Sequence, residues 1–250
     1  MSRVTIYRIL VIAAAIGILE LLCLIGTIDR ITMQAPHLIA RDLAAILVAG
    51  KLNGAIAKTL TNASVAFVLA LTVGIATAVA IHGYRALRET LDPLFATYYA
   101  IPVFGFYPLL IILLGLGDAP QIMIAFMLGV VAVIVNTLNG LDRVPNVLKK
   151  TARIHGMGRL DLAFTVTLPY AAPHVLTGVK LAVAYSLIGI VGAEFIMSRG
   201  GMGYEISFAF TNFDNATMYP LIVLILLVSI TANTLLSLWE KMLLTRRGYS

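Results

Sequence analysis

The sequence predicts an all-α fold, a polytopic membrane bundle of six transmembrane helices, and three observations carry that prediction. Of 250 residues, 60% are hydrophobic and 12% charged, with a mean hydropathy of +0.96. One water-soluble core of this length cannot bury so much apolar surface, so lipid must be much of the solvent. Leucine, isoleucine, valine and alanine outweigh the aromatic residues, which suits helices in hydrocarbon better than barrel strands with their period of two. Finally, six separate stretches reach the roughly 20 apolar residues that a spanning helix needs.

The first stretch, residues 9–28, carries one charge, Glu20. Arg3 and Arg8 precede it as in a secretory signal, but the apolar run is longer than a usual signal core. No small-residue cleavage site stands out before Asp29, so the run reads as a permanent helix. Glu20 is expected to contact a neighbouring helix or a second subunit. Residues 29–58 are too polar to span, yet Leu38, Leu43, Ile46 and Leu47 fall near helical spacing, which predicts a helix on the membrane surface or packed on the bundle.

Residues 59–81, 94–116 and 121–141 form the second, third and fourth spans, none of them charged. Pro102 and Pro108 in the third each remove a backbone donor and are expected to kink it. Kinked membrane helices line cavities or are packed in protein. With Tyr98, Tyr99, Phe104, Phe106 and Tyr107 nearby, this region is a candidate pore wall, or else a packed aromatic cluster. Asn136, Thr137 and Asn139 near the inner end of the fourth span either line a path or bond between helices.

The fifth span, 173–197, holds Lys180 and Glu194. An ionisable group in hydrocarbon faces a protein interior or a watery cavity. The two lie about four turns, or about 21 Å, apart along one helix, too far to pair. Lys180 is near enough to the inner end to snorkel. Glu194 is a candidate for the path, as an outer gate or brace, or bonds to the loop 199–215, whose Gly200, Gly201 and Gly203 permit tight turns. Residues 216–238 form the sixth span, and the whole chain, 1–250, is read as one transmembrane domain.

Lysine and arginine set the orientation. With the N-terminus inside, the inner loops and ends hold 12 (Arg3, Arg8, Arg85, Arg88, Arg143, Lys149, Lys150, Arg153, Arg159, Lys241, Arg246, Arg247) against 5 outside (Arg30, Arg41, Lys51, Lys58, Arg199). Positive loops stay cytoplasmic, so both termini are expected inside. The net charge of +6 is thereby explained by topology, and basic residues between apolar runs do not form a nucleic-acid surface. The single Cys23 cannot form an internal disulfide, and His37, His82, His155 and His174 lack ligand spacing, so no metal site is expected. No phosphate loop of the form G-x-x-x-x-G-K-[ST] is present, so no cofactor, ATP site or covalent chemistry is expected of the chain itself.

The longest inner loop, residues 142–172, is not ordinary loop composition. Val147, Leu148, Thr151, Ala152 and Ile154 predict a short amphipathic helix broken by Gly156 and Gly158. Leu160 begins a second short helix, running to Thr167, which Pro169 is expected to stop. Together they predict a compact knob. Its A-x-x-x-G turn, with Leu168 and Pro169 twelve residues after the glycine and then Pro173, resembles the EAA motif of binding-protein-dependent ABC importer permeases.

The resemblance extends over residues 54–243. Lys58, Thr59, Leu60 and Gly74 match in order and spacing, as do Leu91, Asp92, Pro93, Ile101, Pro102, Tyr107, Pro108, Leu109, Gly115, Leu116 and Gly117. Asn136, Thr137, Gly140, Thr177, Gly178, Lys180, Glu194 and the turn of Gly201, Met202, Gly203 and Tyr204 continue the series. The nitrate, sulfonate and taurine branch is the most similar. Two departures stand out: Lys150 occupies the usual glutamate position and Thr151 the first alanine, and Phe106 and Tyr107 replace a common tryptophan before Pro108.

The resemblance implies a type I importer permease fold in the bacterial inner membrane, carrying a small solute such as nitrate, a sulfonate, taurine or a small heterocycle. It implies a second permease copy, two ATPase subunits and an external solute-binding protein as partners. The ATPase would dock on Lys150, Thr151, Ala152, Arg153, Gly156, Met157, Gly158, Leu160 and Pro169. Tyr98, Tyr99, Pro102, Phe106, Asn136, Thr137 and Glu194 are the candidates for the path. A secondary transporter coupled to protons through Glu20 or Glu194 is the alternative, but neither acid has an evident relay and no inverted repeat is visible.

Overall fold

The structure is a computed structural model that describes residues 3–29 and 32–246; Arg30 and Arg247, counted in the charge asymmetry, lie outside the described residues. Among the described residues the chain is helical and has no strand. In order the helices are α1 (Arg3–Leu24), α2 (Pro36–Ala49), α3 (Asn53–His82), α4 (Arg85–Tyr98), α5 (Tyr107–Leu114) and α6 (Asp118–Asp142). They continue as α7 (Asn146–Ile154), α8 (Arg159–Leu162), α9 (Leu168–Met197), α10 (Met202–Thr211) and α11 (Asn215–Arg246). Five helical stretches are long and apolar enough to cross a membrane, and α4 and α5 make a sixth span if their bent pair is counted as one.

The core is α6 packed against α9, with α3 closing on both. Small residues make the approach possible. A Cβ on Gly189 would lie 2.5 Å from Ala125 Cα, one on Gly140 2.9 Å from Ala171 Cβ, and one on Gly74 2.7 Å from Val133 Cβ. Lipid tails are as apolar as leucine, so membrane helices associate through such close van der Waals contact. Around these crossings Ala66, Ala70, Ile124, Leu138, Ala182 and Ile190 are buried.

The segment 29–58 packs on the bundle. Pro36 opens α2 in its first turn, Gly50 ends it in the left-handed region (φ +67), and Ile39 and Leu43 are buried where the helix meets α11. Glu20 of α1 accepts from the His37 backbone N–H (3.2 Å) and contacts its Nδ1 (2.5 Å). That carboxylate sits at the N-terminal end of α2, where unpaired N–H groups favour an anion.

The third span corrects the expectation of one kinked helix over 94–116. Ala86–Tyr98 and Val103–Leu114 are bent by 94°. α4 closes with tight i→i−3 bonds, Ala100 N–H to Thr97 O and Ile101 N–H to Tyr98 O, both 3.0 Å. Pro102, with no N–H to give, follows them (φ −74, ψ 84) and precedes the 3₁₀ turn Val103–Phe106. Pro108 is not a kink. It occupies the first turn of α5, where a missing N–H costs nothing.

Two further expectations are corrected. Pro169 does not stop the second knob helix. α8 runs through a π turn, Ala163–Thr167, directly into α9, giving one span over Leu160–Met197. The Leu168 N–H bonds to Ala163 O, five residues back, and this wider turn makes room for a proline that can neither donate nor tolerate a close i−4 carbonyl. The tract 199–215 is not only a glycine loop, because α10 occupies most of it, with Met202, Gly203, Ile206 and Ala209 buried against α9 and α11. Glycine marks its start alone: Gly201 has φ +104.

Candidate coupling knob and membrane path

The knob begins at Pro145, from which α7 runs to Ile154. Its C-terminus is closed by Gly156 in the left-handed region (φ +76). The Met157 N–H reaches Ala152 O (3.1 Å) and the Gly156 N–H reaches Arg153 O (3.0 Å), the paired bonds of a Schellman cap. No atom lies within 4 Å of a Cβ placed on Gly156, so within this chain the glycine is required by its backbone conformation and not by crowding.

Ala152 is buried where α7 meets the π turn. Lys150, Thr151, Arg153 and Gly158 are exposed and Met157 is half-buried. Leu160 is exposed, as are Val147, Ile154 and Phe164. Phe164 is an exposed aromatic that sequence reasoning missed, because the helix expected there had no assigned outer face. Pro169, half-buried, lies in the first turn of α9. Exposed large apolar side chains on a short segment that also carries basic ones suit a partner surface.

The path candidates are spread over the break of the third span, the second half of α6 and the end of α9. At the break of the third span, the Tyr98 hydroxyl donates to Met127 O (2.9 Å). Tyr99, half-exposed, is edge-on to Tyr98 and stacked on Tyr185, each pair with centroids 6.0 Å apart. Tyr185, on α9, has no motif to mark it in sequence. Pro102 and Phe106 lie in the same break. On α6, Asn136 bonds its own helix at Ala132 O (2.8 Å) and Thr137 is fully buried.

Glu194 lies about 13 Å along α9 from Tyr185, next to Ala193, which packs with Val103 of the break and Tyr107 of α5. Its Oε2 accepts from Thr59 Oγ1 (2.7 Å) and from the Gly203 N–H (3.0 Å), and Thr59 Oγ1 accepts from the Met202 N–H (2.7 Å). Both side chains are fully buried. The acid thus latches the start of α10 to α9 and α3, and a Cβ on Gly201 would lie 2.2 Å from Glu194 Oε1. Lys180 pairs with Glu240 of α11 and Lys58 with Asp118 (2.8 Å); both partners are distant in sequence and carry no spacing signal. Among the described residues no group of three histidine, cysteine or acidic side chains could hold a metal.

The latch makes a direct prediction. Glu194→Ala leaves the Thr59 hydroxyl and the Gly203 N–H without an acceptor in an enclosed site, at a cost of about 2 kcal/mol. Glu194→Gln keeps an oxygen in place. Thermal unfolding of the purified chain should drop for the alanine variant and stay near wild type for the glutamine variant, and equal losses in both would remove the latch.

Residues 33–248 match the family model described as the binding-protein-dependent transport system inner membrane component. The chain is 28% identical over 180 residues to the nitrate import permease NrtB of Leptolyngbya laminosa, covering 72% of this chain and 64% of that protein. It is 26% identical over 242 residues to a probable ABC transporter permease of Brucella melitensis, covering 97% and 98% of the two. Its fold is similar to a chain of the MetNI methionine ABC transporter, solved in inward-facing conformations, with TM-score 0.67 and 16% identity over 77% of this chain and 95% of that one. Because the family match covers most of its length, the chain belongs to the binding-protein-dependent inner membrane components, the permeases of ABC importers.

Proposed function

We propose that two copies of this chain form the translocation path of an ATP-driven importer, with a separate ATPase subunit docked on each knob. The observation that carries this reading is the unbroken helical connection from α8 through the π turn into α9. A displacement at Leu160 is passed to the helix whose other end holds Glu194. ATP is bound by the partner, and the chain itself only moves. The face bearing Tyr99, Tyr185 and Phe106 is the favoured wall of the path, because it sits where the third span breaks and backbone irregularity in a membrane is tolerated beside a cavity. An external binding protein delivers the solute, a small molecule such as nitrate, a sulfonate, taurine or a small heterocycle.

Both termini are placed in the cytoplasm on the strength of the positive-charge bias. A single cysteine at Asn146 should then react with an impermeant reagent from the inside only, and one at Asn212 from the outside only. The reverse pattern would overturn the orientation.

Docking is tested at Gly156. Valine, β-branched, is strained at φ +76, whereas asparagine accepts the left-handed region far more readily. Gly156→Val should reach normal membrane abundance yet fail to co-purify with the ATPase or support its hydrolysis, while Gly156→Asn retains both. Wild-type association by the valine variant would refute the docking assignment.

A further inference from the structure

α7 packs on its own neighbours, the π turn and α8, and one of its side chains reaches back to the membrane helices. Lys149 Nζ lies 3.3 Å from His82 Nε2, at the end of α3, and 3.4 Å from Leu141 O, near the end of α6. The same imidazole presents Nδ1 to Asp142 Oδ1 at 3.1 Å. A carboxylate can only accept, so Nδ1 carries the proton and Nε2 is left as the acceptor for the lysine. Asp142 Oδ2 in turn accepts from Arg88 (3.3 Å), and Arg88 holds Asp92 at 2.6 Å on its own helix, α4. The Lys149 side chain is half-buried; burial, its largest cause, and Arg153 hold its pKa below the ordinary lysine value against the opposing pull of Asp142.

We infer that Lys149 is a positioning residue for coupling: through His82, Asp142 and Arg88 it ties the knob to α4, the inner arm of the broken third span, so that the arm follows when the ATPase moves the knob. This rests on the proposed ATPase docking and deepens it. α9 alone would transmit knob motion to the latch and the outer end. The inner arm is separated from the rest of its span by the 94° break; it packs on α3 and α6 through Leu91, Phe95 and Tyr98, and this polar chain adds a side-chain connection from there to α7 itself. The four side chains come from four helices, so any one of them moving strains the others.

The test uses the purified assembly of the permease with its ATPase, doubly spin-labelled on the permease, with ATP and vanadate as the probe. One sample carries labels at Asn146 and Asn212, and a second at Thr90, an exposed residue of α4, and Asn212. In wild type both distances should change between the nucleotide-free and the vanadate-trapped state. Lys149→Met should keep the change at Asn146 and lose most of that at Thr90, and Lys149→Arg, which retains its donors, should restore it. A Thr90 change in Lys149→Met equal to wild type overturns the inference. So does failure of the arginine variant to restore it, or loss of both changes in the methionine variant, which would place Lys149 in docking. If the Asn146 distance does not change even in wild type, the ATPase-docking reading itself is what fails.

Discussion

The close crossing of α6 and α9 is the contact on which the rest of the molecule depends. In lipid there is no hydrophobic gain from bringing two apolar helices together, and stability comes from how nearly their backbones can approach. Gly189 against Ala125 and Gly140 against Ala171 supply that approach at both ends of the pair. With α9 held along its length, whatever extends from it is held too. At one end that is the latch of Glu194, Thr59 and α10, and at the other the π turn and the knob.

The arrangement divides the bundle by stiffness. α3, α6 and α9 form a packed unit, whereas the α1 stretch Ile6–Leu24 has no buried residue and α11 is buried only sparsely. The third span is different again. Tight closing bonds at Ala100 and Ile101, followed by Pro102, leave α4 and α5 as two short arms. A helix broken in this way exposes polar backbone that must be satisfied by protein or water, which is why the tyrosines at the break are more informative about a path than any fully helical stretch.

Much of this was legible in the sequence because it rests on local chemistry. Span positions follow from runs of apolar residues, and the knob from two glycines between short amphipathic stretches. What stayed hidden rests on tertiary context. Pro169 and Pro108 are chemically alike, yet one follows a π turn and the other starts a helix, and both differ from the break or stop expected of an interior proline. α10 was concealed by the glycines that precede it, although Met202, Ile206 and Ala209 keep helical spacing. The pairing of Lys180 with Glu240 joins residues 60 apart, and the chain from Lys149 to Arg88 joins four helices; no periodicity announces either.

If α9 sets the place of the knob through the π turn, the count of helical residues joining knob and bundle matters more than their identity. Inserting one alanine between Tyr170 and Ala171, in regular helix just past the wide turn, would rotate the knob by about 100° about the axis of α9, leaving the other spans unchanged. The variant should insert and fold like wild type but lose association with the ATPase. An assembly that forms and hydrolyses ATP normally with the added alanine would contradict the rigid connection between knob and bundle.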